Sequence, residues 1–220
     1  MSKVELVIFD MDGLIFDTEI LSYNAWLKAA EEHSINHTME LHHKLLGKNS
    51  KTIRNILTEQ LGDEVLANDY ADAKAREYLA IINNEKVNVK AGLHELLKYL
   101  KDNNIKRAVA TSSRRDIAYK LLKGSNIFDE FNYVLCGDEV TNSKPDPEIF
   151  LNVAKKFDIP SENCIVLEDS EAGILAAHRA NMRGIVIPDM KDPNEETLNI
   201  AYKKLENLEQ VINIINNINK

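Results

Sequence analysis

The sequence predicts an α/β fold, with a doubly wound, mostly parallel sheet and a helical segment inserted after its first strand. Two observations favour this fold. Short apolar runs typical of buried parallel strands alternate along the chain with segments of helical periodicity, as in βαβ units. The stretch 18–86 breaks this alternation, because it has several helical patterns and no convincing strand.

The strands are predicted from five apolar runs, at residues 4–9, 106–110, 133–136, 164–167 and 184–187. The helices between them have their own signals. Four leucines with i, i+3, i+4, i+7 spacing predict one over 93–100. Asp146 and Pro147 are interpreted as the N-cap and first residue of the next. An alanine-rich helix at 171–180 and a helix of period 3.6 near the C-terminus, 208–218, complete the pattern.

The insertion is expected to be a helical subdomain. Its predicted helices are 19–32, 51–60 and 69–83, and Gly47 and Asn49 are placed in a polar turn between two of them. The predicted domain limits are therefore 1–16 with 87–220 for the α/β core and 17–86 for the insertion. Trp26 is expected to pack inside this insertion. Three histidines of the insertion are interpreted as part of a solvated polar turn: His37, His42 and His43.

Composition excludes several classes of protein. The chain has 220 residues, 27 basic and 35 acidic, so its formal charge of −8 argues against binding to a phosphate backbone. No apolar run has the length of a membrane span, and the N-terminal segment lacks the pattern of a signal peptide, so a cytoplasmic protein is predicted. Cys136 and Cys164 lie in apolar runs and are expected to be buried thiols. No coiled-coil seam is visible, which favours a monomer.

Two carboxylates, Asp10 and Asp12, follow the first predicted strand in the segment FDMDG. Loops at the carboxyl ends of parallel strands are where open α/β sheets bind ligands. Carboxylates two residues apart can divide the work of a reaction, one as nucleophile or metal ligand and the other as acid and base. An acidic turn would have the same sequence, so the other strand ends must distinguish the two interpretations.

The next three strand ends also carry polar residues. Thr111, Ser112 and Ser113 follow the second strand, and their hydroxyl and N–H groups can cradle a phosphate. Lys144 follows the third strand and offers a positive charge to a phosphate and to a carboxylate. The fourth strand leads into Glu168 and Asp169, hard oxygen ligands suited to Mg²⁺. We expect these groups to meet at one site.

These motifs resemble those of the haloacid dehalogenase superfamily, and most of all its β-phosphoglucomutase-like phosphatase branch. The matching residues are Asp10-x-Asp12-Gly13 with the Asp-Thr-Glu of 17–19, then Thr111, Lys144 and the acidic pair 168–169. All four motifs of the superfamily are present in order and cover nearly the whole chain. The resemblance implies a Rossmann-like core and identifies the inserted helices with the small α-helical cap of that branch.

The resemblance also implies roles for individual residues. Asp10 would attack phosphorus and form an aspartyl-phosphate. Asp12 would protonate the leaving oxygen and then activate the water that hydrolyses the intermediate. Thr111 and Ser112 would hold phosphate oxygens, and Lys144 would neutralise charge. Dehalogenation of carbon is disfavoured, because the dehalogenases of this superfamily lack the second aspartate.

A magnesium ion and a cap loop complete the implied site. The ligands of Mg²⁺ would be Asp10, the carbonyl oxygen of Asp12 and Asp169, with Glu168 as a further ligand or as a partner of the ligands. A closing cap meets the leaving group, so cap residues are expected to set specificity. The candidates are Gly47, Lys48 and Asn49.

The resemblance favours hydrolysis over transfer of phosphate between sugar positions. β-Phosphoglucomutases are known for a cap histidine four residues after the motif threonine, and that position is Ser22 here. The cap lysine and arginine of those mutases would fall on Leu46 and Ser50. A hydroxyl cannot act as a near-neutral proton switch as histidine can. A Mg²⁺-dependent phosphatase of small phosphorylated metabolites, chiefly sugar phosphates, is therefore predicted, and a mutase is the alternative.

Two non-enzymatic classes are the further alternatives. A receiver-type signalling domain also phosphorylates an aspartate on a doubly wound sheet, with a hydroxyl, a lysine and Mg²⁺ nearby. The Asp-x-Asp-Gly segment, the inserted helices and the late acidic pair argue against such a phospho-aspartate switch. A catalytically silent interaction protein of the superfamily is disfavoured by the intact motifs.

Overall fold

The computed structural model describes residues 3–46, 48, 50–84 and 87–220. Two compact units make up the chain. One comprises Met1–Asp17 and Asn88–Lys220, and the other comprises Thr18–Val87. Within the described residues, no helix is both long enough and apolar enough to cross a membrane.

The first unit contains a six-stranded sheet in the order β3-β2-β1-β4-β5-β6, with every pair parallel. The α/β class predicted from the sequence is confirmed. The edge strand β6 was not predicted, because it consists of two exposed lysines that carry no apolar signal. The strands are β1 (Leu6–Phe9), β2 (Lys106–Ala110), β3 (Tyr133–Leu135), β4 (Cys164–Glu168), β5 (Arg183–Val186) and β6 (Lys203–Lys204).

The register of the sheet aligns the ends of its central strands. Phe9, the last residue of β1, pairs with Val109 of β2 on one side and with Leu167 of β4 on the other. The strand order reverses at β1, so the crevice beside its carboxyl end is the topological switch point at which such sheets bind ligands. Asp10 is the first residue after β1 and lies at this crevice. Its N–H donates to the carbonyl of Leu167 at 2.9 Å.

The second unit is a bundle of helices: α1 (Glu19–His33), α2 (Met39–Leu45), α3 (Ser50–Leu61) and α4 (Glu64–Asn84). Helix α2 was not among the predicted helices. The hydroxyl of Thr38 caps it by accepting a hydrogen bond from the N–H of Leu41 at 3.2 Å. Trp26 is buried as predicted, in a core that also contains Ala29, Ala30, Leu41, Leu45, Leu57, Ala67, Tyr70 and Ala73.

The helices of the sheet-containing unit are α5 (Leu93–Asp102), α6 (Arg115–Gly124), α7 (Glu148–Phe157), α8 (Glu171–Arg179), α9 (Glu195–Ile200) and α10 (Val211–Ile218). The four leucines that predicted α5 are all buried. The start of α7 differs by one residue from the prediction. Pro147 occupies the cap position, and the side chain of Asp146 accepts a hydrogen bond from the N–H of Glu148 at 2.9 Å.

Both cysteines are free and buried, as the sequence predicts. Burial raises the pKa of Cys136 and of Cys164 to about 12, with neighbouring carboxylates adding to the effect. Neither thiol is therefore a reactive nucleophile at neutral pH.

The prediction of a solvated turn is wrong for two of the three histidines, His37 and His42. His37 and His42 are buried, with exposed fractions of 7% and 1%, whereas His43 is exposed. His37 stacks on Trp26 with ring centroids 5.4 Å apart, and its Nδ1 lies 2.8 Å from the hydroxyl of Tyr70. The prediction failed because the polar residues before α2 have the composition of a turn. Helix α2 places His42 on the same buried side as Leu41 and Leu45.

Burial keeps both inner histidines uncharged. It lowers the pKa of His37 to about 4, with the neighbouring His42 adding to the effect. The pKa of His42 is likewise lowered to about 4 by burial, with contributions from His43 and Lys74. The ring nitrogens of the pair approach to 3.4 Å, so a proton on one would disfavour a proton on the other.

We expect the two buried histidines to make the free energy of unfolding fall more steeply as the pH is lowered from 7 to 4. Both take up protons more readily when unfolded, at a pKa of 6.5, than when folded. Their contribution is complete above pH 6.5 and is lost as the pH falls through 4, and for the pair it is on the order of a few kcal/mol. Denaturant unfolding at several pH values measures it. His42→Gln should flatten the pH dependence and His43→Gln should not; equal effects would contradict the assignment.

Candidate active site

Lys144 lies at the centre of a buried charge cluster at the carboxyl ends of β1, β2 and β4. Its ammonium group donates to Oδ1 of Asp10, to Oε1 of Glu168 at 2.6 Å and to the carbonyl of Ala110 at 3.0 Å. The side chains of all three charged residues are at most 9% exposed. The structure thus brings together three residues that the sequence predicted separately at three strand ends.

Opposing effects set the protonation of this cluster. Burial raises the pKa of Asp10, Lys144 works against that rise, and the charges of Glu168 and Asp12 add to it, so the net shift is upward. Burial by itself lowers the pKa of Lys144, but the two carboxylates outweigh it and raise the pKa. The lysine is therefore a permanent cation that favours the ionised form of Asp10.

Glu168 is fixed at both of its oxygens. Oε1 accepts from the lysine, and Oε2 accepts from the hydroxyl of Ser170 at 2.8 Å. The same hydroxyl caps α8 by accepting from the N–H of Gly173 at 3.1 Å. A Cβ at position 173 would lie 2.0 Å from Oε1 of Glu168, so only glycine lets the helix start this close to the carboxylate.

Two hydroxyl groups hold the side chain of Asp12. Its Oδ2 accepts from Oγ of Ser113 at 2.7 Å and from Oγ1 of Thr111 at 3.4 Å. The N–H of Ser113 in turn donates to Oγ1 of Thr111 at 3.0 Å. Ser112, which the sequence selected as a phosphate contact, is exposed. Ser113 was predicted only as a phosphate contact beside its neighbours. Its contact with Asp12 was missed, because nothing in the sequence tells which of two adjacent serines faces the aspartate.

We expect Ser113→Ala to lower kcat about 10- to 100-fold, because Asp12 loses the shorter of its two hydroxyl contacts and a hydrogen bond to a charged group contributes roughly 1.5–3 kcal/mol. Ser112→Ala is the matched control. It should leave kcat unchanged and raise KM if Ser112 contacts the phosphate. Steady-state kinetics on one substrate separates the two, and a larger loss of kcat in Ser112→Ala would contradict the assignment of Asp12's partner.

Three carboxylates of this cluster could hold a metal ion. Oxygen atoms of Asp10, Glu168 and Asp169 all lie within 4.8 Å of one another. Asp10 and Glu168 share the ammonium of Lys144, and Asp169 brings a third carboxylate to the cluster, so these four described residues carry an excess of negative charge when their acids are ionised. A small divalent cation with a preference for oxygen ligands corrects this imbalance, and the donor set therefore fits Mg²⁺.

The cap-loop residues predicted from the sequence are only partly described. Lys48 lies between α2 and α3 in the sequence; it is exposed and is not part of a helix. Gly47 and Asn49 lie outside the described residues. Their predicted contact with substrate stays a prediction.

Comparison with known proteins identifies the family of the chain. The family model described as haloacid dehalogenase-like hydrolase matches residues 7–187. The chain belongs to the haloacid dehalogenase-like hydrolases. The family resemblance predicted from the sequence is thereby confirmed, and the chain is an enzyme of this hydrolase family.

Relatives of this haloacid dehalogenase-like hydrolase place it in the branch of the β-phosphoglucomutases and phosphatases. A phosphorylated carbohydrates phosphatase of Thermotoga maritima is 30% identical over 217 residues, 98% of this chain and 100% of the relative. The β-phosphoglucomutase of Bacillus subtilis is 32% identical over 185 residues, 81% of each protein. The crystal structure of a β-phosphoglucomutase from Clostridium difficile superimposes with a TM-score of 0.79 at 30% identity, covering 97% of both chains.

Proposed function

We propose that this haloacid dehalogenase-like hydrolase is a Mg²⁺-dependent phosphatase that hydrolyses small phosphorylated metabolites, chiefly sugar phosphates, through an aspartyl-phosphate on Asp10. The observation that carries the proposal is the contact of Lys144 with Asp10 at the switch point of the sheet. A second carboxylate, Asp12, is held beside it by the hydroxyls of Thr111 and Ser113. A nucleophile, a cation and a positioned acid–base group are what phosphoryl transfer through an enzyme carboxylate requires.

The first step forms the phosphoenzyme. A carboxylate oxygen of Asp10 attacks phosphorus while the bond from phosphorus to the ester oxygen breaks. Asp12 transfers its proton to that oxygen, so the substrate leaves as a neutral alcohol. The hydrogen bonds from Thr111 and Ser113 fix the orientation of Asp12 for this transfer.

The second step returns the enzyme to its starting state. Asp12, now ionised, accepts a proton from a water molecule. The water oxygen attacks phosphorus, the bond from phosphorus to Asp10 breaks, and inorganic phosphate leaves. The Asp10 carboxylate and the protonated Asp12 are thereby regenerated.

Charge neutralisation accounts for the other groups of the site. Lys144 compensates the charge of Asp10 and of the phosphoryl group, while Thr111 and Ser112 are proposed to hold phosphate oxygens. Mg²⁺, when bound, adds a Lewis-acidic charge that stabilises the transferring phosphoryl group. Asp10, the carbonyl of Asp12 and Asp169 would hold the ion, with Glu168 as a further ligand or as a partner of the ligands.

The substrate class and the direction of the reaction have separate support. The name of the Thermotoga relative states action on phosphorylated carbohydrates, which supports sugar phosphates. Ser22, at the position that resemblance assigns to the mutase histidine, favours hydrolysis. We further propose that the helical unit, Thr18–Val87, is the cap domain predicted at 17–86. It contributes specificity through Gly47, Lys48 and Asn49. Alanine at positions 48 and 49 should then change kcat/KM unequally among substrates.

Phosphorus NMR of the purified protein with Mg²⁺ and a panel of metabolite monophosphates tests the function. The expected result is free phosphate from sugar phosphates and no release in EDTA. β-Glucose 1-phosphate distinguishes the main alternative, because a mutase would produce glucose 6-phosphate without matching free phosphate. The similarity to the Bacillus subtilis mutase makes this control necessary. A phosphorylated protein that releases no phosphate from any metabolite would instead support a phospho-aspartate switch.

A further inference from the structure

Asp189 is a buried carboxylate just beyond β5, outside the set of residues assigned above. Its side chain is 9% exposed, and its Oδ1 accepts from the ammonium of Lys90. Lys90 also donates to Oδ1 of Asp17 at 3.3 Å. The second oxygen of Asp189, Oδ2, is buried and has no hydrogen-bond partner among the described residues.

The unpaired oxygen lies on the side of the candidate metal ligands. Gly13 has a φ of 77°, and a Cβ at this position would lie 2.2 Å from Oδ2 of Asp169 and 3.4 Å from Oδ2 of Asp189. Gly13 is therefore the place where the two carboxylates approach the same stretch of backbone. Because Asp169 belongs to the cluster with Asp10 and Glu168, the free oxygen of Asp189 is a neighbour of that cluster.

An unpaired carboxylate oxygen in the interior is costly. A buried acceptor without a partner has lost its hydrogen bonds to water without replacement, and the loss is larger when the acceptor is charged. Lys90 compensates the charge of Asp189 but contacts only the other oxygen. Among the described residues, a hydrogen-bond donor is therefore missing for Oδ2, the oxygen of Asp189 that lies near Gly13.

We propose that Asp189 is a positioning residue of the magnesium site, whose Oδ2 accepts a hydrogen bond from a water molecule bound to the ion. The inference rests on the proposed Mg²⁺-dependent function and names a residue that stabilises the hydrated ion. Mg²⁺ usually keeps several of its waters in proteins, and partners beyond the direct ligands orient them. Asp189 therefore acts through the water, and its contribution is to the affinity of the ion.

The competing explanation is that Asp189 only anchors Lys90. That lysine ties together the two segments that flank the helical unit in sequence, since its N–H also donates to the carbonyl of Ile15 at 2.8 Å and its side chain contacts Asp17. If the ion pair only stabilises the fold, substitution of Lys90 and substitution of Asp189 should have equal effects. Substitution of Lys90 is therefore the matched control for substitution of Asp189.

The test is a titration of purified protein with Mn²⁺ followed by electron paramagnetic resonance, with Mg²⁺ as competitor, and it needs no turnover. Asp189→Asn keeps an oxygen for Lys90 but replaces the free oxygen by a donor. It should weaken the affinity for Mg²⁺ about 10- to 100-fold. Lys90→Gln should change the affinity for Mg²⁺ less than about threefold. Melting in EDTA checks the fold, and Asp189→Ser is titrated if the asparagine variant unfolds.

Two results would overturn the inference. One is an affinity of the Asp189 variant for Mg²⁺ within about threefold of that of the unmodified protein. The other is an equal loss of affinity for Mg²⁺ in Lys90→Gln. Failure of the proposed function looks different. The unmodified protein would then bind the ion in this titration but release no phosphate from any member of the metabolite panel.

Discussion

Replacing Asp10 by Asn is expected to lower kcat for phosphate release by about 10⁴-fold or more, because an amide cannot attack phosphorus. The substitution keeps the shape of the side chain and an oxygen that can accept from Lys144. The variant should therefore stay folded, and circular dichroism checks this. Phosphate release at saturating substrate measures the effect, and turnover near that of the unmodified protein would rule out Asp10 as nucleophile.

Asp12→Asn is the control that separates the two chemical steps. An aryl phosphate needs little help from an acid, because its leaving group is already stable as an anion. This variant should therefore release one equivalent of the phenol in a burst and then stall, since no base activates water. Asp10→Asn should give no burst. A burst in Asp10→Asn would place the phosphoryl group on another residue.

Replacing Lys144 by Met is expected to lower the free energy of unfolding by roughly 3–5 kcal/mol, because removal of one member of a buried ion cluster leaves the others uncompensated. Asp10 and Glu168 both contact the ammonium and are buried, so they would face each other without a counter-charge. Hydrolysis should be lost as well. Guanidinium unfolding in EDTA measures the stability without a contribution from metal.

The double variant Lys144→Met with Glu168→Gln distinguishes electrostatics from packing. Removing one carboxylate should recover much of the lost stability, because the remaining Asp10 then has one like charge fewer in contact range. Activity should stay absent in the double variant. If the single Lys144→Met variant is as stable as the unmodified protein, or if the second substitution recovers nothing, the account of the charge cluster is contradicted.

The sheet and the centre of the candidate site could be predicted because both depend on strong local signals. Five apolar runs identify five of the six strands, and parallel strands place their carboxyl ends on one edge. Asp10, Lys144 and Glu168 meet for that reason. The same rule applied to the end of the fifth strand would have selected Asp189, since β5 is followed almost directly by Pro188-Asp189.

Other features depend on contacts that the sequence does not encode locally. His37 and His42 are polar in any local pattern. They become core residues only through distant contacts, His37 with Trp26 and Tyr70 and His42 with His37 and Tyr23. The two residues of β6 pair with β5 because the chain passes its edge, without any apolar signal. The choice of Ser113 over its neighbour depends on the direction of a side chain in a tight loop.

Trapping the phosphoryl group on the enzyme shows whether the Asp10 carboxylate carries it. Enzyme quenched during turnover of a good substrate is treated with borohydride, which reduces an acyl phosphate to an alcohol and so converts the aspartate to homoserine. Peptide mass spectrometry then locates the change. We expect homoserine at position 10, dependent on both substrate and Mg²⁺ and absent in Asp10→Asn. Homoserine at another position would contradict Asp10 as the nucleophile. So would steady turnover without any homoserine, if the Asp12→Asn variant also accumulates no phosphoenzyme.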